Sequence, residues 1–129
     1  MCGQQSYIVV SQTNIRGIDL TEAELDGHTL RKRYADGTFI RVMIRRTGDA
    51  AYPSGWRYAL HYGAVDPDAA DGPTLADGTI RRYDNAHEDT KGHECHVAPD
   101  PEPKPVEFPG MVELYDRFWD EIPKPRLDP

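Results

Sequence analysis

Asp36-Gly37 separates two β-prone runs, His28 to Tyr34 and Thr38 to Thr47, and this pairing constrains the fold more than any other part of the chain. An Asp-Gly step between such runs is a strong short-range hairpin signal. Glycine takes a positive φ without steric cost, and aspartate supports the turn with its side chain. In the second run Ile40, Val42, Ile44 and Arg46 fall on one side of an extended chain, and Phe39, Arg41, Met43 and Arg45 on the other. The Ile/Val/Ile side belongs to a core, and the arginine side is at least partly wet.

Further elements follow by the same rules. Residues 48–55 form a loop, and Trp56 to Tyr62 alternate as a third strand. Residues 63–78, rich in Asp, Pro, Ala and Gly, predict an exposed connection, and Thr79 to Asp84 a fourth strand. Residues 97–109 carry prolines at 99, 101, 103, 105 and 109, which predict a second exposed, extended connection. Beyond it Met111, Val112, Tyr115, Phe118, Trp119 and Ile122 recur at helical spacing, with Glu113, Asp116, Asp120 and Glu121 filling the other side and Pro123 as the stop. Two weaker elements precede the hairpin: a strand at Tyr7–Val10 and a single helical turn that Thr21 caps with Glu24, ended by Gly27. Residues 124–129 read as a frayed tail. The expected architecture is a single α+β domain over 1–129. It has an antiparallel, meander-like sheet of four to five strands, with the C-terminal amphipathic helix packed on one face.

A chain of 129 residues supports one core and not two. No apolar stretch approaches the roughly 20 residues of a membrane span, and no secretory leader is visible, so a cytoplasmic protein with no membrane association is expected. Cys2 and Cys95 make no disulfide framework. The net charge of −7, dominated by Asp with Arg far exceeding Lys, suits a high-salt cytoplasm and points to a halophilic source. That net value hides a division. Between His28 and Tyr62 seven basic residues face two acidic ones, whereas from Asp84 onward twelve acidic residues face five basic ones. A basic sheet followed by an acidic tail suits an anionic ligand.

Three of the five histidines crowd into Arg82-Tyr83-Asp84-Asn85-Ala86-His87 and His93-Glu94-Cys95-His96, directly after the fourth strand. Together with the Asp36-Gly37 hairpin, Gly55-Trp56-Arg57-Tyr58 and the closing Pro109-Gly110-Met111 helix, this block resembles the TumE family of toxin–antitoxin proteins. The resemblance implies a small toxin of a type II pair, with a partner antitoxin that carries a DNA-binding domain. In the family the second block often holds adjacent histidines, and Glu94 stands in place of one here.

Read as chemistry, the cluster suits RNA cleavage. Histidine populates both protonation states near neutrality and serves as base and as acid. On this reading His87 and His96 are the acid–base pair, Asp84 orients an imidazole and Tyr83 stacks or donates. Arg82 clamps phosphate, with Asn85, Arg41, Arg45 and Arg57 as further substrate contacts. The expected activity is metal-independent ribonuclease action by a monomer or small homo-oligomer, with no cofactor. The alternative is a non-catalytic interaction or regulatory protein stabilised by one zinc-like divalent ion on His87, His93 and His96, with Asp84, Glu94 or Cys95 as further ligands. His93 and His96 share a face on a helix and lie on opposite faces of a strand. The plainest reading is that Asp84-Asn85 end a strand and the histidines lie solvated on a loop.

Overall fold

The computed structural model describes residues 20–127, so the strand expected at Tyr7–Val10 lies outside the described residues. Chain order is α1 (Glu22–Leu25), β1 (Thr29–Arg33), β2 (Thr38–Arg46), β3 (Trp56–Ala64), a 3-10 turn (Pro67–Ala69), β4 (Thr79–Asp84), α2 (Glu88–Lys91), β5 (His93–Val97), β6 (Lys104–Val106) and α3 (Met111–Glu121). The six strands form one antiparallel sheet in the order β1-β2-β3-β4-β5-β6, a pure meander.

The β1–β2 hairpin turns where Asp36-Gly37 require. Gly37 has φ +85, and Oδ1 of Asp36 accepts from the backbone N–H (3.0 Å) and hydroxyl (2.6 Å) of Thr38. Ile40, Val42 and Ile44 of β2 and Trp56, Tyr58, Leu60 and Tyr62 of β3 are buried on the same side of the sheet. There they join Leu25 of α1 and Met111, Leu114, Tyr115, Phe118, Trp119 and Ile122 of α3 and its exit. An eleven-residue helix is marginal alone, and burial of this stripe holds it in place.

Four expectations need correction. The sheet gains β5, where the sequence left helix and strand open, and β6, in which Pro105 lies opposite Glu94. Proline lacks an N–H but is tolerated on a sheet edge, so the proline-rich stretch pairs where it was expected only to connect. Residues 124–127 do not fray: Lys124 Nζ meets Asp36 Oδ2 at 2.5 Å, Arg126 Nη1 donates to Asp116 Oδ1 at 2.6 Å, and the Leu127 carbonyl accepts from Tyr115 Oη at 3.1 Å. Asp116, expected on the wet side of α3, is buried and ion-paired by that return of the chain. The connection after β3 is also shorter than expected, because Gly63 and Ala64 extend the strand and are buried. No helix among the described residues is long and apolar enough to cross a membrane.

Candidate active site

Arg31, Arg41, His61, Arg82 and His96 lie directly opposite one another on five successive strands. Antiparallel strands lie about 4.8 Å apart, so this row of basic side chains crosses roughly 20 Å of the sheet face away from α3. The adjacent row runs Met43, Ala59, Asp84, Glu94. Strand alternation puts these residues on this face, and the four inter-strand registers line them up.

Asp84 joins the two rows. Its Oδ2 lies 3.3 Å from His96 Nε2 and 3.0 Å from Arg82 Nε. The Arg82 contact is an ion pair off the N–H direction, which leaves Nε without a directed hydrogen bond. Burial pushes the Asp84 carboxyl up. The contact with His96, the Arg82 charge and the Ala86 backbone N–H outweigh it, and the group stays below its ordinary value. Glu94 Oε1 lies 3.9 Å from the same His96 nitrogen. Asp84, Glu94 and His96 can each offer one ligand atom within 4.8 Å of the others.

His61 of β3, between Arg41 and Arg82, also belongs to the basic row. The register slips between Tyr62 and Gly63, so that Thr79 and Arg82 both border it, and its Nε2 meets Thr79 Oγ1 at 2.9 Å. Burial and then the Arg82 charge lower its pKa to about 4, so the imidazole is neutral at physiological pH. Phe39 meets it edge-on at 5.0 Å, and the Arg41 guanidinium lies 5.3 Å over the Phe39 ring. Arg45 and Arg57 lie opposite each other on β2 and β3, exposed on the same face beyond the Met43–Glu94 row.

Tyr83 and Asn85 lie elsewhere. Tyr83 points to the helix side, fully buried, where its hydroxyl donates to Glu121 Oε1 at 2.6 Å. It cannot stack on a base from there. Asn85 is also fully buried. Its Oδ1 accepts from the Tyr58 N–H (3.1 Å), and its Nδ2 donates to the Trp56 carbonyl (2.6 Å) and to Glu88 Oε1 (2.7 Å). The amide is spent on fastening the end of β4 to β3, so Asn85 is a structural clamp rather than a substrate contact.

The second block forms β5, and alternation divides its histidines. His96 joins Asp84, whereas His93 lies on the core side, stacked on Phe108 at 4.4 Å and bonded through Nδ1 to Tyr58 Oη at 2.7 Å. Its Nε2 stands 3.6 Å from Glu88 Oε1, in a network that Ser54 completes with two hydrogen bonds to the Glu88 carboxylate. The expected ligand set of His87, His93 and His96 therefore does not assemble around one ion. Cys95 is buried in the core and points away from Asp84 and His96. His87 is exposed on the turn after Asp84, with φ +62 and no capping bond from its side chain.

The profile of a family described as Toxin TumE matches residues 6–126. No curated protein and no solved structure matches significantly.

Proposed function

The chain belongs to the TumE toxin family, toxins that act within toxin–antitoxin systems, and from that premise we propose that it acts on RNA by acid–base cleavage at His96 and His87, with Asp84 orienting His96, and that a protein antitoxin with a DNA-binding domain neutralises it. The observation that carries this reading is the Arg82–Asp84–His96 contact at the end of a row of basic side chains. A polyanion laid along that row meets Arg31 and Arg41 first and reaches a phosphate position at Arg82 beside a histidine.

In the tautomer that satisfies Asp84, Nε2 of His96 carries the proton and Nδ1 is the basic nitrogen. His96 takes the proton of a ribose 2′-hydroxyl, whose oxygen attacks the neighbouring phosphorus. The 5′-oxygen leaves with a proton from the second imidazole, His87 on the adjoining turn. Arg82 balances the charge that builds on the phosphorane. The products are a cyclic phosphate and a 5′-hydroxyl end.

Induction of the chain without its antitoxin is the test. Growth arrest with new 5′-hydroxyl RNA ends is expected, and His96→Ala removes both. Arrest and cleavage undiminished in His96→Ala overturn the mechanism.

The grouping of Asp84, Glu94 and His96 favours a second reading, in which these residues hold one divalent ion. Arg82 opposes it, because its guanidinium already sits on the Asp84 oxygen that a cation needs. Untagged protein carrying about one ion per chain after dialysis, with activity lost to chelator, selects the metal reading.

A further inference from the structure

The sheet face beside Asp84 and His96 is hollowed into a cavity of about 480 Å3. Arg33, Arg41 and Arg82 stand on its walls, and Phe39, Met43 and His61 form an aromatic and apolar interior. This volume lies within the range of sites that enclose a small ligand. The hollow depends on Gly63, directly opposite Phe39. A Cβ there would come within 3.0 Å of the Phe39 ring and 2.8 Å of the Gly78 carbonyl oxygen, so any side chain would push Phe39 into the hollow or part β3 from the turn before β4.

Three guanidinium groups around an apolar interior call for a ligand that is both anionic and flat. Arg41 lies over Phe39, and a planar base can stack on that guanidinium or displace it from the ring. His61 offers a neutral imidazole at the base edge, and Asp77 on the same wall supplies a carboxylate for an exocyclic amine. Arg82 is the wall residue that also touches Asp84, which sets the phosphate end of the ligand beside His96.

We propose that this cavity takes one unstacked nucleotide of single-stranded RNA, with its base against Arg41 and Phe39 and its phosphate on Arg82. The inference rests on the RNA-directed reading above and adds to it a requirement for an unpaired base next to the cleaved bond. A duplex cannot meet that requirement, because its bases are stacked and their edges paired.

The test uses the full chain carrying His96→Ala, so that RNA is not consumed, and a fluorescent eight-nucleotide single strand read by anisotropy. The same sequence annealed to its complement is the competitor. The single strand is expected to bind about tenfold more tightly than the duplex, and Phe39→Ala to weaken it by about tenfold, with Phe39→Tyr restoring it. Ala59→Leu fills the cavity floor and leaves every arginine in place, and a similar loss is expected from it. Folding of each variant is checked by thermal melting. Equal affinity for the duplex, or single-strand binding unchanged in folded Ala59→Leu, overturns the proposal. Because binding is measured without His96, the two readings fail separately. RNA cleavage by the parent with no strand preference removes the pocket alone, and tight single-strand binding by a parent that cuts no RNA removes the cleavage reading alone.

Discussion

Nε2 of His96 stands 3.3 Å from Oδ2 of Asp84, across the β4–β5 pair and one register step from the Arg82 that shares the same oxygen. The carboxylate therefore fixes an imidazole tautomer and anchors a guanidinium at once. Asp84→Asn keeps the shape and removes the charge. We expect it to lower RNA cleavage by about tenfold to a hundredfold, less than the 10²–10⁴-fold typical of losing the proton-transferring group itself in His96→Ala. Matched rate measurements on the two purified variants check this order, and a larger loss in Asp84→Asn than in His96→Ala reverses the assignment of roles.

The same carboxyl gives a pH signature. Its folded pKa lies below its ordinary value, so the stability it contributes is present above the unfolded carboxylate pKa and is lost as pH falls through the folded one. The gap in melting temperature between the parent and Asp84→Asn should therefore be widest near neutrality and narrow below about pH 4. A gap that stays constant from pH 7 to 3 shows that the charge of Asp84 does not stabilise the fold.

His61 predicts a loss of stability at milder acidity. Burial and the neighbouring Arg82 and Arg41 depress its pKa to about 4, against the opposing pull of Asp77 and Asp84. An unfolded histidine titrates near 6.5, so the unfolded chain binds the proton first and stability declines as pH drops from about 6.5 to 4. His93, also depressed by burial, contributes in the same direction. His61→Gln should flatten part of this slope and leave the His93 part. Denaturant melts at pH 7, 5.5 and 4.5 measure it, and an unchanged slope in the variant contradicts the depressed pKa.

Which residues reach the open face was legible wherever a strand was legible. The alternation of Phe39, Arg41 and Met43 against Ile40, Val42 and Ile44, and the placing of Arg82 and Asp84 at the end of β4, follow from period-two patterning alone. His93–Val97 was different, because five residues with two histidines and a glutamate carry no hydrophobic period. The sequence left open whether His93 and His96 share a face, and pairing with Tyr83 and Arg82 decided it. The row from Arg31 to His96 was hidden for a related reason: it depends on four inter-strand registers, and no local pattern encodes how β3 meets β4 across a register slip. The burial of Asn85 shows the reverse problem. A strand-ending Asp-Asn looks like exposed turn chemistry, and only the position of β3 shows that the amide spans to Tyr58 and Trp56.

Asn85 separates structural from chemical loss within the motif. Asn85→Ala orphans the Tyr58 N–H and the Trp56 carbonyl and removes a donor from Glu88, all in a buried setting. Unsatisfied buried groups cost about 1–3 kcal/mol each, and partial relaxation brings the expected total to roughly 3 kcal/mol. For a chain of this size that lowers the melting temperature by about 10 °C. Toxicity should fall at the higher growth temperature and recover at the lower one, whereas His96→Ala stays inactive at both. Loss of activity in Asn85→Ala without loss of stability returns this residue to the substrate site.

The basic row makes a prediction about salt that holds whatever the reaction is. Arg31 and Arg41 lie opposite each other at the start of the row, exposed, and make no ion pair among the described residues. If they meet the phosphates of a single strand, each contact releases a condensed counterion, and the slope of log affinity against log salt includes about −0.7 per phosphate. Arg31→Ala and Arg41→Ala should each make the slope shallower by about that amount, and the double variant by about twice as much. Arg46, paired with Glu22 on the helix side of β2, should leave the slope unchanged when replaced by Ala. Anisotropy titrations of the His96→Ala chain between 50 and about 300 mM salt provide the measurement. Equal slopes in all five proteins mean that the nucleic acid does not follow the row, and the path to Asp84 and His96 then has to enter from the Arg57 end of the sheet.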